Sequence, residues 1–257
     1  MIDGGASTFG LLLLAAAFAG FIDAVAGGGG LIQVPALLTA LPGEAPATVF
    51  GTNKGSSIFG TANAAWRYAR RIALPWEVAL PAAAAAFVFS FGGAALVSLA
   101  PKEWLRPLIL LLLVAVFVYT MFKRDFGTVA LAPSFSGGAT RPALLAGAVL
   151  GFYDGFFGPG AGSFMIFAFV RFFGLDFLRA SSAAKVVNFS TNLAALSWFA
   201  PTGHVLWQLA LAMAVFNIAG AMAGSRLAIR HGSGFVRGVF LAVTAVLIAK
   251  FGYDTLL

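Results

Sequence analysis

The chain has 257 residues, of which 60% are hydrophobic and 10% charged, with a mean hydropathy of +0.94. An ordinary soluble domain carries about 25% charged residues, so this chain lacks the polar surface of a water-facing globule, and a soluble enzyme is excluded. The formal charge of +7 does not point to nucleic acid, because the 16 Lys and Arg are scattered between apolar runs rather than gathered in one stripe; the positive-inside effect accounts for such scatter.

Segments near the ~20 residues that cross a hydrocarbon core are predicted at 9–26, 46–66, 74–99, 104–122, 142–157, 182–200, 205–228 and 235–251. Two shorter runs, 29–41 and 160–173, follow Gly27-Gly28-Gly29-Gly30 and Gly158-Pro159-Gly160. A run of about 13 residues reaches only ~20 Å, so these read as half-helices or re-entrant arms. The N-terminus carries Asp3 and no basic stretch, and is expected to be retained rather than cleaved as a signal peptide. Trp66, Trp76, Trp104, Trp198 and Trp207 all fall at predicted segment ends, where the indole favours the headgroup level. The one long polar connection, 123–141, divides a first transmembrane repeat, 1–122, from a second, 142–257, within a single membrane domain.

The two halves match in sequence. Gly20-Phe21-Ile22-Asp23 followed by Gly27 and Gly29 corresponds to Gly151-Phe152-Tyr153-Asp154 followed by Gly158 and Gly160, and the same offset of 131 carries Lys54 onto Lys185. One gapless offset over about 35 positions reads as an internal duplication. Loop charge orients the copies. Arg67, Arg70 and Arg71 place 67–71 inside, whereas Arg171, Arg179, Arg226, Arg230 and Arg237 place 171–179 and 226–237 inside, so the segments bearing Lys54 and Lys185 run in opposite directions. Lys102 and Arg106, on a predicted outer loop, run against this pattern. The expected fold class is all-α and polytopic, with two inverted-topology repeats. Each is a broken helix hairpin plus three transmembrane helices, an arrangement common among secondary transporters.

Asp23, Asp154, Lys54 and Lys185 depart from the rule that charges sit at segment ends. An ionised side chain at such depth costs about 2.5–3.5 kcal/mol on insertion scales, so the four must be paired, solvated or partly neutral. Steps of three and four residues put Lys54, Ser57 and Thr61 on one helix face and Lys185, Asn188 and Asn192 on the corresponding face of the other copy. These donors suit an oxyanion, or else they bond helix to helix; Asn53, Asn63, Ser56, Ser190 and Thr191 lie nearby. Half-helices starting near Gly29 and Gly160 add N–H groups and positive dipole ends. Asp23 and Asp154 precede the breaks, where the helix dipole and desolvation both act against an ionised carboxylate; each is expected either to carry a proton or to pair with a lysine.

Other chemistries find no support. There is no phosphate loop, no HExxH and no plausible nucleophile–base set, so neither ATP-driven transport nor an enzyme is expected. Without cysteine there is no disulfide and no thiol relay. His204 and His231 read as interfacial side chains, and Glu77, Arg171 and Asp176 as membrane-edge residues. Gly147-Gly151-Gly155 and Gly220-Gly224, at spacing four, read as close-packing surfaces.

On these residues the chain resembles the sulfite exporter TauE/SafE family. The resemblance covers essentially the whole chain and is carried by GFIDAVAGGGGLIQVPAL (20–37) and GTNKGSSIFG (51–60) in the first half, and by GFYDGFFGPGAGSF (151–164) and AAKVVNFSTN (183–192) in the second. It implies export or uptake of sulfite, thiosulfate or organosulfonates across the bacterial inner membrane. The expected partners are a small anionic substrate and the lipid bilayer, without nucleic acid, metal or other cofactor; homo-oligomerisation is left open. Rival readings are a passive anion channel, and a membrane scaffold or assembly factor with no transport.

Overall fold

The computed structural model describes residues 5–97 and 138–256. All its regular elements are helices: α1 (Gly5–Ala26), α2 (Gly30–Ala40), α3 (Pro46–Ala69), α4 (Trp76–Leu96), α5 (Thr140–Phe156), α6 (Ala161–Phe173), α7 (Phe177–Phe199) and α8 (Trp207–Leu256). The predicted segment 104–122 with Trp104, the charges Lys102 and Arg106, and linker residues 123–137 lie outside the described residues.

Length and apolarity let α1, α4 and α8 cross a membrane, while α2 and α6 are the short apolar helices. At 1.5 Å per residue, the 11 residues of α2 reach about 16 Å and the 13 of α6 about 20 Å, half a bilayer core each. Helices α3 and α7, of 24 and 23 residues, are long enough to span at about 35 Å but bury polar side chains. Side chains such as Leu11, Val88, Leu145 and Val215 remain largely exposed, as expected of a surface bathed in hydrocarbon. The chain is a multi-pass membrane protein.

Two boundaries differ from the sequence reading. Helix α7 starts five residues before the expected 182, because the Asp176 carboxylate accepts the N–H groups of Leu178 and Arg179, both at 3.0 Å. The segments expected at 205–228 and 235–251 are joined by helix instead of a basic loop. Gly232, at φ 72° and ψ −165°, breaks α8 into two arms at a kink.

Small residues draw the helices together. Gly147, Gly151 and Gly155 of α5 lie so close to Ala82, Ala86 and Ser90 of α4 that a Cβ on each glycine would stand 2.0–2.5 Å from their backbone atoms. Gly220 and Gly224 of α8 approach Ala17 and Phe21 of α1 in the same way. Without a hydrophobic force between helices in lipid, such backbone proximity and its dispersion contacts are what hold them. The two seams correspond. A Cβ on Gly93 would sit 2.4 Å from Phe152 O, and one on Gly224 2.4 Å from Phe21 O, and the offset of 131 carries each residue pair onto the other.

The contacts also give helix directions. Ala17 and Phe21 meet Gly220 and Gly224 in ascending order, and Gly51, Gly55 and Gly60 meet His204, Ala210 and Asn217 likewise, so α1, α3 and the first arm of α8 run one way. Ala82, Ala86 and Ser90 ascend with Gly147, Gly151 and Gly155, so α4 and α5 run together. Gly51 meets Phe199 and Thr61 meets Asn192, so α7 runs against α3, whereas Ala83 and Phe91 meet Ser190 and Trp198, so α4 runs with α7 and against α3.

Candidate functional site

The two glycine breaks meet in the interior. Gly27, at φ 76°, has the left-handed backbone that favours glycine, and a Cβ there would stand 2.3 Å from the carbonyl carbon of Gly162 at the start of α6. Ser163 Oγ donates to Ala26 O at 2.8 Å, Tyr68 OH to Ala24 O at 2.9 Å and Ser181 Oγ to Val25 O at 3.0 Å. Carbonyls near the end of α1, which lose helical partners at the break, are thus met by side chains. On the other side, Tyr153 OH donates to Pro159 O at 2.7 Å.

Beside the crossing lie two ion pairs, each joining the first half of the chain to the second. Lys54 Nζ stands 2.8 Å from Asp154 Oδ1, and Lys185 Nζ stands 2.8 Å from Asp23 Oδ2. The Lys54–Asp154 side chains are 5% and 4% exposed; in the second pair Lys185 is fully enclosed while Asp23 keeps 17%. Pairing offsets the desolvation that four isolated charges would incur, and removing a single member would leave its partner uncompensated. Thr61 Oγ1 donates to Asp23 Oδ2 at 3.4 Å, and Asn192 Nδ2 reaches Thr61 Oγ1 at 3.4 Å and Asn188 Oδ1 at 3.3 Å.

A cavity of about 30 Å³ lies among these groups. That is room for one or two waters. Of the residues expected in the site, Asp23, Gly29, Lys54, Ser57, Thr61, Asp154, Asn188 and Asn192 line it. Lys185 and Gly160 do not. Lys185 lies behind the Asp23 carboxylate, and Gly160, at φ 83°, caps α6 against Leu31 and Phe164, leaving Gly158 and Gly162 at the wall. His204 and His231 are remote from it, in the α7–α8 connection and beside the α8 kink.

The sequence reading did not single out Asn217, which lines the cavity from α8. Its Nδ2 donates to Ala16 O and to Gln33 Oε1, both at 3.2 Å, tying half-helix α2 to α1 and α8. An amide inside the apolar segment 205–228 was the available signal, but the repeat offset places Ala86 opposite it, so a search for duplicated residues passes over it.

A helical bundle that spans the membrane, breaks two helices in its interior and places paired charges around a small cavity there has the make-up of a membrane transporter. The comparisons give the family. The Sulfite exporter TauE/SafE model matches residues 12–251, and the chain belongs to that family. It is 37% identical to the probable membrane transporter protein YfcA of Escherichia coli K12 over 246 residues, covering 96% of this chain and 90% of that one. It is 36% identical to the probable membrane transporter protein ORF9 of a Sinorhizobium species over 239 residues, covering 93% of this chain and 90% of that one. A probable membrane transporter protein of Haemophilus influenzae is 33% identical over 257 residues, with 98% of both chains covered. No solved structure matches the chain.

Proposed function

We propose that the protein is a secondary transporter of small sulfur-containing anions, namely sulfite, thiosulfate or organosulfonates, across the bacterial inner membrane. The observation that carries this reading is the pair of buried lysines, each held by an aspartate of the other half of the chain, with Lys54, both aspartates and the breaks before α2 and α6 on one cavity. An oxyanion entering there replaces a carboxylate against Lys54 or Lys185 and takes further bonds from Ser57, Thr61, Asn188 and Asn192. The starts of α2 and α6, near Gly29 and Gly160, add the positive ends of their dipoles.

The architecture proposed for it is two inverted-topology repeats, 1–122 and 142–257, joined by the linker 123–141. The exchange of α1–α8 contacts with α4–α5 contacts under the offset supports it, as do the opposed directions of α1 and α5. A cavity of about 30 Å³ that must enlarge to admit a sulfonate suits a transporter that alternates states better than an open pore.

The test is flux of sulfite, thiosulfate and isethionate into proteoliposomes. Saturable uptake with counterflow is expected, and its loss in a folded Lys54→Ala/Lys185→Ala protein supports lysine binding. Absence of flux for all three anions in the wild type overturns the substrate class.

A further inference from the structure

We propose that the two aspartates are not equivalent: Asp154 takes up, at Oδ2, one proton that travels with each substrate anion, while Asp23 stays ionised. This rests on the anion-transport reading and adds its coupling.

The first ground is charge balance. Lys54 and Lys185 against Asp23 and Asp154 sum to zero, so the site as it stands has no net charge to receive an anion. Adding an unbalanced negative charge to a space of about 30 Å³ among these buried side chains incurs the penalty that the pairing avoids. A proton arriving with the anion restores the balance for a monovalent anion, halves the excess for a divalent one, and releases Lys54 from its carboxylate.

The second ground is the unequal satisfaction of the carboxylates. Asp154 Oδ1 is taken by Lys54, whereas Oδ2 is buried and has no hydrogen-bond partner. Asn53 Oδ1 is also buried without a partner, and both residues line the same cavity. Two acceptors with no donor between them are costly in a low-dielectric interior. A proton on Oδ2 turns one acceptor into an O–H donor that can serve the other through a cavity water. Asp23 differs, because its Oδ2 accepts from both Lys185 and Thr61 and its side chain keeps 17% exposure against 4% for Asp154, so its carboxylate is not sealed from water in the same way.

The other charged and titratable groups around Asp154 do not supply that donor. Lys54 faces Oδ1, and Lys185 is held by Asp23. The Tyr153 hydroxyl donates to Pro159 O. Glu77, Arg67, Arg171 and Arg179 stand in the end turns of α4, α3, α6 and α7. In the step itself, an O–H bond forms on Oδ2 with a proton from water on the side where the anion enters, the Lys54–Asp154 contact opens, and the proton returns to water where the anion leaves. No bond to the anion is made or broken.

The experiment uses the full-length protein in proteoliposomes with thiosulfate and isethionate, which bind no proton themselves near neutrality, together with a lumenal pH dye. In the wild type, anion entry acidifies the lumen without sodium, and an acidic exterior speeds uptake. In Asp154→Asn the pH gradient ceases to drive uptake, while exchange of labelled for unlabelled anion stays measurable. In Asp23→Asn the proton-to-anion ratio is unchanged, whatever the rate. Infrared difference spectra give an independent reading. Adding thiosulfate produces the carbonyl band of a protonated carboxyl, absent in Asp154→Asn and moved in Asp154→Glu, and this holds even where a variant's transport is too slow to follow. Anion flux with no proton movement, flux requiring sodium, or proton movement surviving in Asp154→Asn each overturns the proposal and leaves the anion transporter standing. A wild type that moves neither anion overturns both.

Discussion

Lys54 Nζ and Asp154 Oδ1 lie 2.8 Å apart across 100 positions of chain, and the repeat-related Lys185 and Asp23 meet at the same distance across 162. Each lysine has passed over the aspartate of its own copy for that of the other. Breaking one buried pair by removing a single member costs about 3–5 kcal/mol, because the survivor is left uncompensated, whereas replacing both members with apolar groups is often near neutral. Lys54→Met is therefore expected to lower the melting temperature in detergent clearly, and Lys54→Met/Asp154→Leu to recover most of it while remaining without anion flux. A double variant no more stable than the single one would refute the compensation.

Adjacent glycines in α4 give an internal control for the helix seam. A Cβ on Gly93 would press on Phe152 O, while among the described residues nothing lies within 4 Å of one on Gly92. Gly93→Ala should lose about 1–3 kcal/mol to overpacking. Gly92→Ala should be neutral or gain up to about 1 kcal/mol from helix propensity. Thermal unfolding of the two variants beside the wild type reads the difference, and equal effects would count against the seam.

At the break, Gly27→Ala combines a left-handed backbone with a clash against Gly162, whereas Gly43→Ala, in the α2–α3 connection, meets nothing among the described residues. On the order of 3 kcal/mol is expected for the first substitution and little for the second. Size-exclusion profiles and melting temperatures after solubilisation distinguish them.

Asn217→Leu removes the bonds to Ala16 O and Gln33 Oε1 and leaves the Gln33 side chain, whose Nε2 is already without a partner, unsupported at both ends. A stability loss of about 1–3 kcal/mol is expected. Because Asn217 also forms cavity wall, anion flux should fall further than in a seam variant of matched melting temperature. Flux tracking stability alone would restrict Asn217 to holding α2.

Much of this was legible because a membrane forces it. Apolar length, tryptophans at helix ends and glycine breaks beside a duplicated aspartate located seven of the eight described helices to within a few residues. Trp66, Trp76, Trp198 and Trp207 stand at or near the ends of α3, α4, α7 and α8. The departures have local causes. Asp176, read as a membrane-edge charge, also caps α7, and the stretch 226–237 was read as a basic loop although it stays helical on both sides of Gly232. In the site, the offset named Asp23, Asp154, Lys54 and Lys185 but carried no information on which met which. That choice depends on how α3 crosses α5 and how α7 crosses α1, which is a property of packing between distant segments. Asn217 has no counterpart in the other copy and so left no trace in the repeat.

The glycine seams have a mechanical consequence. They join α1 to α8 and α4 to α5, so the first helix of each copy is fastened to a helix of the other at backbone contact, with no side chain between to act as a bearing. The stiff units of the molecule are therefore mixed pairs, not sequence halves. Whatever opens the cavity must move such mixed pairs past their neighbours.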